Sequence, residues 1–289
     1  MAGFAALRRL RWRVGAGPWR PLCAASGLVK AGARLWVVAD DLNHLVELPS
    51  GRGRRLFPGE LPRDAARRKK VKKDLEALIA LPGRRLLAFP SGSKPRRVRG
   101  AVVSLDARGR WKGAREIDCA PLLAALDEVI PGLNIEGGFV AGEDLVLLQR
   151  GNGRRRFNAL VRCELAAFLA WLDGRRGPPR VRVRRARLGE WDGTPLSFTD
   201  GFFHDGAVYF SAAAEVTDDP VRDGEVMGSV IGLLAPRGGV RVLARLPKVK
   251  VEGLALDAAL ARELRVLAVT DADDPRRPSV LLRGRVSRA

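Results

Sequence analysis

Short apolar runs separated by polar clusters recur along the whole chain. Residues 35–38, 86–89 and 145–148 are examples, and each is followed by a polar cluster and then by another apolar run. Runs of this length, bounded by turn-forming residues, are typical of β-strands rather than of helices. The pattern therefore predicts an all-β chain.

The same layout occurs five times. Each copy has a small or acidic opening, two apolar runs joined by a turn, a polar cluster, and then a third and often a fourth run. The copies open near residues 26, 76, 136, 200 and 252. Four antiparallel strands in a repeat of roughly 50 residues is the layout of a propeller blade. We predict a single five-bladed β-propeller over residues 1–289; two unrelated β domains are the alternative, which the regular recurrence disfavours.

The fifth copy lacks a fourth run, because little chain remains after residue 282. The alternating stretch 7–14, within the N-terminal residues 1–20, precedes the first copy. We predict that it supplies the outer strand of the last blade and covers an exposed edge. Apolar residues spaced by three and four predict helical insertions at 121–129 and 164–172, and segment 61–73 is predicted to be a basic loop or short helix.

Composition adds information on charge and partners. The 52 Lys and Arg exceed the 32 Asp and Glu, giving a net charge of +20, while the hydrophobic fraction of 46% is too high for a disordered chain. A polyanion partner would explain this excess, but a bias toward Arg explains it more simply. The basic runs are not interleaved with aromatic residues, so nucleic acid is the weaker partner hypothesis.

The cysteines and the apolar runs bear on the cellular compartment. Cys23, Cys119 and Cys163 are widely spaced and form no CxxC motif, so neither a disulfide framework nor a zinc site is predicted. The basic N-terminus lacks the apolar stretch of a signal peptide, and no run is long enough for a transmembrane helix. We expect a cytoplasmic monomer with no membrane partner.

One repeat position predicts a ring of polar side chains. The first strand of each propeller blade lines the central channel, so equivalent residues surround the axis; here they are Ser26, Glu76, Glu136, Asp200 and Glu252. Carboxylates this close must be protonated, or neutralised by Arg or by a cation, and hard oxygen ligands suit Ca²⁺ or Mg²⁺. Capping of backbone N–H groups in neighbouring blades is the alternative.

The ends of the second strands carry a second polar set. Because antiparallel neighbours run in opposite directions, these ends lie beside the starts of the first strands. The set comprises Asp40, Asp41, Ser91, Ser93, Arg150, Asn152, Glu215, Asp271 and Asp273, with His44 and Asn134 close in sequence. We predict a channel mouth that binds a small polar or phosphorylated ligand, with turn formation as the competing explanation. No organic cofactor is expected, because no P-loop or dinucleotide fingerprint occurs.

The strand openings Leu75-Glu76-Ala77, Ile135-Glu136-Gly137 and Glu252-Gly253-Leu254 resemble those of phytase-like and esterase-like propellers. The ends of the second strands carry, in order, Val38-Ala39-Asp40-Asp41, Ser91-Gly92-Ser93, Gln149-Arg150-Gly151-Asn152, Ala214-Glu215 and Thr270-Asp271-Ala272-Asp273-Asp274. This order is similar to that of an uncharacterised bacterial family of the same kind. The resemblance implies cation-dependent hydrolysis of a phosphate or carboxylic ester, with Glu76, Glu136 and Glu252 as metal ligands.

In this hypothesis Arg150 neutralises developing negative charge, and Asp41 or His44 transfers protons. The alternative is a non-catalytic propeller that binds a polar ligand or an acidic partner.

Overall fold

The computed structural model describes residues 3–62, 64–151, 156–216, 225–235, 239–272, 274 and 276–289. Its strands, in chain order, are β1 (Phe4–Arg9), β2 (Arg11–Trp12), β3 (Arg20–Pro21), β4 (Ala25–Ala31), β5 (Arg34–Ala39), β6 (His44–Leu48), β7 (Arg52–Arg55), β8 (Leu75–Leu81), β9 (Arg85–Pro90), β10 (Arg99–Leu105), β11 (Trp111–Asp118), β12 (Ile135–Ala141), β13 (Asp144–Gln149), β14 (Ala159–Glu164), β15 (Arg182–Arg185), β16 (Glu190–Trp191), β17 (Thr194–His204), β18 (Ala207–Val216), β19 (Glu225–Leu234), β20 (Val240–Pro247), β21 (Lys250–Ala259), β22 (Glu263–Asp271) and β23 (Val280–Ser287). The helices are α1 (Ala65–Val71), α2 (Ala120–Asp127) and α3 (Leu165–Leu172).

These strands form the five antiparallel blades that the repeat predicts. Blades 1 to 3 are β4–β7, β8–β11 and β12–β15; blade 4 is β16–β20; blade 5 has the order β1-β23-β22-β21. The first long strands β4, β8, β12, β17 and β21 contact one another in cyclic order and close the ring. Each predicted opening lies in one of them, although position 200 lies in the middle of β17 rather than near its start.

The N-terminal strand completes blade 5, as predicted. Strand β1 pairs with β23 from Phe4 opposite Gly284 to Arg9 opposite Val280. The strand ends earlier than predicted, because the chain then enters the short β2–β3 hairpin, where Trp12 lies opposite Arg20. The pairing covers the edge that β23 would otherwise expose.

The helical insertions are also confirmed, with small shifts in their ends. Helix α1 begins where the Asp64 side chain accepts a hydrogen bond from the Arg67 N–H at 2.8 Å, which is a typical N-cap. Helix α3 buries Phe168 and Leu172 against blade 3. None of the helices in the described part of the chain has the length and apolar character to cross a membrane.

The inner strands pack backbone to backbone, which brings the ring residues together. A Cβ atom at Gly27 would lie 2.8 Å from the backbone nitrogen of Leu78, and one at Gly137 would lie 2.8 Å from Cα of Asp200. Both glycines adjoin a predicted ring position in sequence. Larger residues would push neighbouring blades apart, so the close approach of the inner strands requires glycine at both positions.

Candidate functional site

Arg150 contacts carboxylates from three blades. It follows β13, and its backbone N–H donates to the Asn134 carbonyl at 2.9 Å. Its side chain is buried; Nη2 lies 2.6 Å from Glu215 Oε1, and Nη1 lies 3.3 Å from Glu136 Oε2 and 3.9 Å from Glu252 Oε1. The guanidinium is thus one of the neutralising groups that a carboxylate ring requires.

Lys250 is a second buried cation at the same place, and sequence reasoning missed it. Its Nζ lies 3.0 Å from Glu252 Oε1 and 3.3 Å from Glu215 Oε1. Lys250 and Glu252 lie two residues apart on β21, on either side of a β-bulge between Val251 and Gly253. We call Glu136, Arg150, Glu215, Lys250 and Glu252 the Arg150 cluster.

The Arg150 cluster contains three carboxylates and two cations, and its carboxylates differ in proton affinity. Burial raises the pKa of Glu136 to about 8, although Arg150 opposes this and Glu252 adds to it. Burial also acts to raise the pKa of Glu215, but Arg150 and Lys250 outweigh it, and the pKa is lowered. Asn134 Nδ2 donates to Glu136 Oε1 at 2.7 Å. A pKa of about 8 allows Glu136 to exchange a proton near neutral pH, whereas the lowered pKa of Glu215 favours its ionised form.

A second charged cluster is centred on the buried Asp74, between blades 1 and 2. Lys72 Nζ lies 2.8 Å from Asp74 Oδ1 and also contacts Asp40 Oδ2. Arg97 Nη1 lies 2.7 Å from Asp74 Oδ2, and the Ser91 hydroxyl donates to the same oxygen. Sequence reasoning included Asp40 and Ser91 but missed Lys72, Asp74 and Arg97. We call these five residues the Asp74 cluster.

Glu76 adjoins the Asp74 cluster. Oxygens of Asp40, Asp74 and Glu76 lie within 4.8 Å of one another. Glu76 forms no hydrogen bond or ion pair with the residues that the structure describes. Burial, and then the carboxylates of Glu136, Asp74 and Asp40, raise its pKa well above the usual range, while Lys72 opposes them. Ionised Glu76 therefore lacks a positive partner at contact distance.

This geometry bears on the predicted metal ligands. Two oxygens bound to one Ca²⁺ lie at most about 5 Å apart, because each Ca–O distance is about 2.3–2.6 Å. The oxygens of Asp40, Asp74 and Glu76 fit that limit. The structure groups Glu76 with two aspartates, whereas Glu136 and Glu252 face Arg150 and Lys250.

Two predicted ring residues cap backbone groups instead. Asp200 accepts hydrogen bonds from the N–H of Gly201 at 2.8 Å and from the N–H of Leu254, in blade 5, at 2.9 Å. Ser26 Oγ accepts from the Asp40 N–H at 3.1 Å. Asp200 thus caps a neighbouring blade, which is the alternative to a charged ring, whereas Ser26 links β4 to the end of β5 within blade 1.

Asp41 and His44 line a pocket of about 420 Å³ between the β2–β3 hairpin and blade 1. His44 is only 3% exposed, and its ring centroid lies 5.2 Å from that of Trp12. Burial and then Arg55 lower the pKa of His44, so the ring is neutral. Burial and then Asp40 raise the pKa of Asp41 to about 6, and its carboxylate lies 3.3 Å from Arg68 Nε.

Two of the four remaining residues predicted at the channel mouth lie beside the charged clusters. The Ser93 hydroxyl accepts from Arg97 Nη1 at 2.7 Å and thus adjoins the Asp74 cluster. Asp271 is the last residue of β22 and is paired in the sheet with Lys250, a member of the Arg150 cluster. Asn152 and Asp273 lie outside the described residues.

Residues 21–286 match the model of a family described as "Family of unknown function (DUF6929)". The chain belongs to this family. The match covers the five blades apart from the closing strand β1 and the last residue of β23. It also leaves out strand β2 of the N-terminal hairpin. Among curated proteins, no sequence matches this DUF6929 member.

Three solved structures to which this chain is similar differ widely from it in sequence. A putative glycoside hydrolase from Parabacteroides distasonis is 10% identical, with a TM-score of 0.49, covering 98% of this chain and 96% of that one. An exo-1,5-alpha-L-arabinanase from a bovine ruminal metagenomic library is 8% identical, with a TM-score of 0.48, covering 93% and 98%. A nidogen/laminin complex is 11% identical, with a TM-score of 0.44, covering 95% and 90%.

Proposed function

We propose that the channel mouth of this DUF6929 member binds a divalent cation, Ca²⁺ or Mg²⁺, and hydrolyses a small phosphate or carboxylic ester beside it. The observation that carries the proposal is the group of oxygens from Asp40, Asp74 and Glu76 within 4.8 Å of one another. Carboxylate oxygens are the ligands that these hard cations prefer.

The charge balance around Glu76 supports a cation at this position. Lys72 and Arg97 offset the charges of Asp40 and Asp74, but neither is in contact with Glu76. Burial and the neighbouring carboxylates raise the pKa of Glu76, which favours its protonated form when no cation is present. A bound cation favours the ionised carboxylate, so binding should release a proton.

The residues around the site can bind an anionic substrate and transfer a proton. Lys72 and Arg97 supply positive charge for a phosphate or carboxylate group. Glu136, with a pKa of about 8, can protonate a leaving-group oxygen near neutral pH, and Asn134 fixes its orientation. The cation, when bound, polarises the ester and lowers the pKa of a bound water.

One observation favours the alternative, a propeller that binds without catalysis. Arg150 and Lys250 already contact every carboxylate of the Arg150 cluster, which therefore needs no further cation. In that case the mouth binds a polar ligand and the Arg150 cluster only holds the blades together.

A thermal melt of chelator-treated protein, with Ca²⁺, Mg²⁺ or Mn²⁺ added back, tests the cation. We expect a saturable stabilisation of about 2.7 kcal/mol at a hundredfold excess over the dissociation constant. Glu76→Gln should abolish it, and Glu128→Gln, at an exposed position on the end of α2, should not. No response in the wild type would exclude the cation.

Hydrolysis of p-nitrophenyl phosphate and p-nitrophenyl acetate tests catalysis. We expect cation-dependent turnover that Glu136→Gln reduces at least tenfold without loss of the fold. A thermal response to cations with no turnover of either ester would support the binding alternative instead.

A further inference from the structure

Two basic runs that are distant in sequence meet on the outer surface of the propeller. Strand β1 carries Arg8 and Arg9 on blade 5, and the chain then crosses to blade 1. There the Arg13 N–H donates to the Gly51 carbonyl at 2.9 Å, and the Gly53 N–H donates to the Arg13 carbonyl at 2.8 Å. The N-terminal segment thus fills the seam between the outer strands of blades 5 and 1.

We call this surface the basic seam. It consists of Arg8, Arg9, Arg11, Arg13, Arg20, Arg52, Arg54 and Arg55. Arg55 lies 2.9 Å from Glu60, and Arg54 lies 3.8 Å from Glu47. The other six guanidinium groups form no ion pair with any residue in the described ranges. The seam therefore presents a strong excess of positive charge to solvent.

Acidic and basic residues are segregated between the axis and the outer strands. The inner strands β4, β8, β12, β17 and β21 carry more acidic than basic residues: Glu76, Glu136, Asp200, Glu252 and Asp257 against Lys30 and Lys250. The outer strands β1, β7, β15 and β20 carry Arg and no acidic residue. The seam differs from β15 and β20 because the arginines of the N-terminal segment adjoin those of β7 there.

We propose that the basic seam binds the phosphate backbone of double-stranded nucleic acid without reading its sequence. All eight cations are Arg, whose planar fork matches phosphate oxygens in pairs. Trp19 is the exposed aromatic residue beside the seam, but its ring contacts the Arg13 guanidinium at 4.6 Å and packs on Gly51. Because the ring of Trp19 already packs against these two residues, it is poorly placed to stack on a base of single-stranded nucleic acid or to insert into a lipid bilayer.

The salt dependence of binding to a fluorescent 30-base-pair DNA, measured in chelator, tests the proposal. Six phosphate contacts predict that log K falls with log[KCl] with a slope of about −5, so that affinity drops about a thousandfold between 50 and 200 mM. Replacing Arg9, Arg11 and Arg52 by Ala should make the slope shallower by about 3. The matched control replaces Arg182, Arg184 and Arg185 of β15 by Ala, which removes the same charge and should leave the slope unchanged.

Three outcomes would overturn the proposal. Equal weakening by both triple variants would show diffuse attraction to the whole basic protein. Tighter binding to single-stranded DNA of the same length would reject a duplex partner. Binding to phosphatidylserine vesicles, with none to DNA, would assign the seam to a membrane. Because no divalent cation is present in the assay, none of these outcomes bears on the channel site.

Discussion

Replacing Arg150 by Met removes the cation that contacts carboxylates from three blades. Met fills similar volume but leaves Glu136, Glu215 and Glu252 with Lys250 alone. A buried charge that loses its partner destabilises a protein by about 3–5 kcal/mol. We therefore expect Arg150→Met to lower the free energy of unfolding by about 4 kcal/mol at pH 8.

The destabilisation should depend on pH. At pH 5 Glu136, with a pKa of about 8, is protonated, which removes part of the repulsion that Arg150 would otherwise offset. The loss should therefore be clearly smaller at pH 5 than at pH 8. Urea denaturation followed by tryptophan fluorescence measures both values.

Arg162→Met is the matched control. Arg162 lies 3.4 Å from Asp144 in a partly exposed pair, so its loss should cost about 0–1 kcal/mol at either pH. A loss of less than 1 kcal/mol for Arg150→Met, or the same loss at both pH values, would refute the central ionic role of Arg150.

Three further predictions concern the ring itself. Because the pKa of Glu136 is about 8 when folded, against 4.5 as its ordinary value, the folded protein holds a proton that the unfolded chain releases. Stability should fall as pH rises from 5 through 8, and Glu136→Gln should flatten this decline in pH-dependent urea melts. Asp200→Ala leaves two buried N–H donors without acceptors and should lower unfolding free energy by about 3 kcal/mol in urea titrations. Gly137→Ala places Cβ 2.8 Å from Cα of Asp200 and should lower the free energy of unfolding by about 1–3 kcal/mol in the same assay. The control Gly113→Ala, whose Cβ meets open space, should leave it unchanged. Equal effects of the two variants would contradict the close approach of the blades.

Much of the fold could be predicted because each blade is specified locally. Alternating apolar runs and turns define the strands, and their recurrence defines the blades. Four of the five predicted ring residues, Ser26, Glu76, Glu136 and Glu252, occupy the same β-bulge of their inner strands, whereas in blade 4 this bulge is at Thr199, one residue before Asp200. The missing fourth strand in the last copy then required the N-terminal strand.

The partners of the ring residues could not be predicted in the same way. Arg150 and Glu215 are 65 residues apart, and their contact depends on how neighbouring blades face each other. Asp74 lies between α1 and β8, outside the apolar pattern, and Lys72 belongs to a basic run that resembles a solvated loop. A pattern of residue types shows which side chains line the channel, but not which of them pair.

Calorimetric titration of Ca²⁺ into the chelator-treated protein, in two buffers with different ionisation enthalpies, tests the proposed cation site most directly. We expect one bound ion per chain, release of a proton on binding, and at least a tenfold loss of affinity in Glu76→Gln but not in Glu128→Gln. No binding heat in either buffer, or equal affinity in wild type and Glu76→Gln, would contradict it.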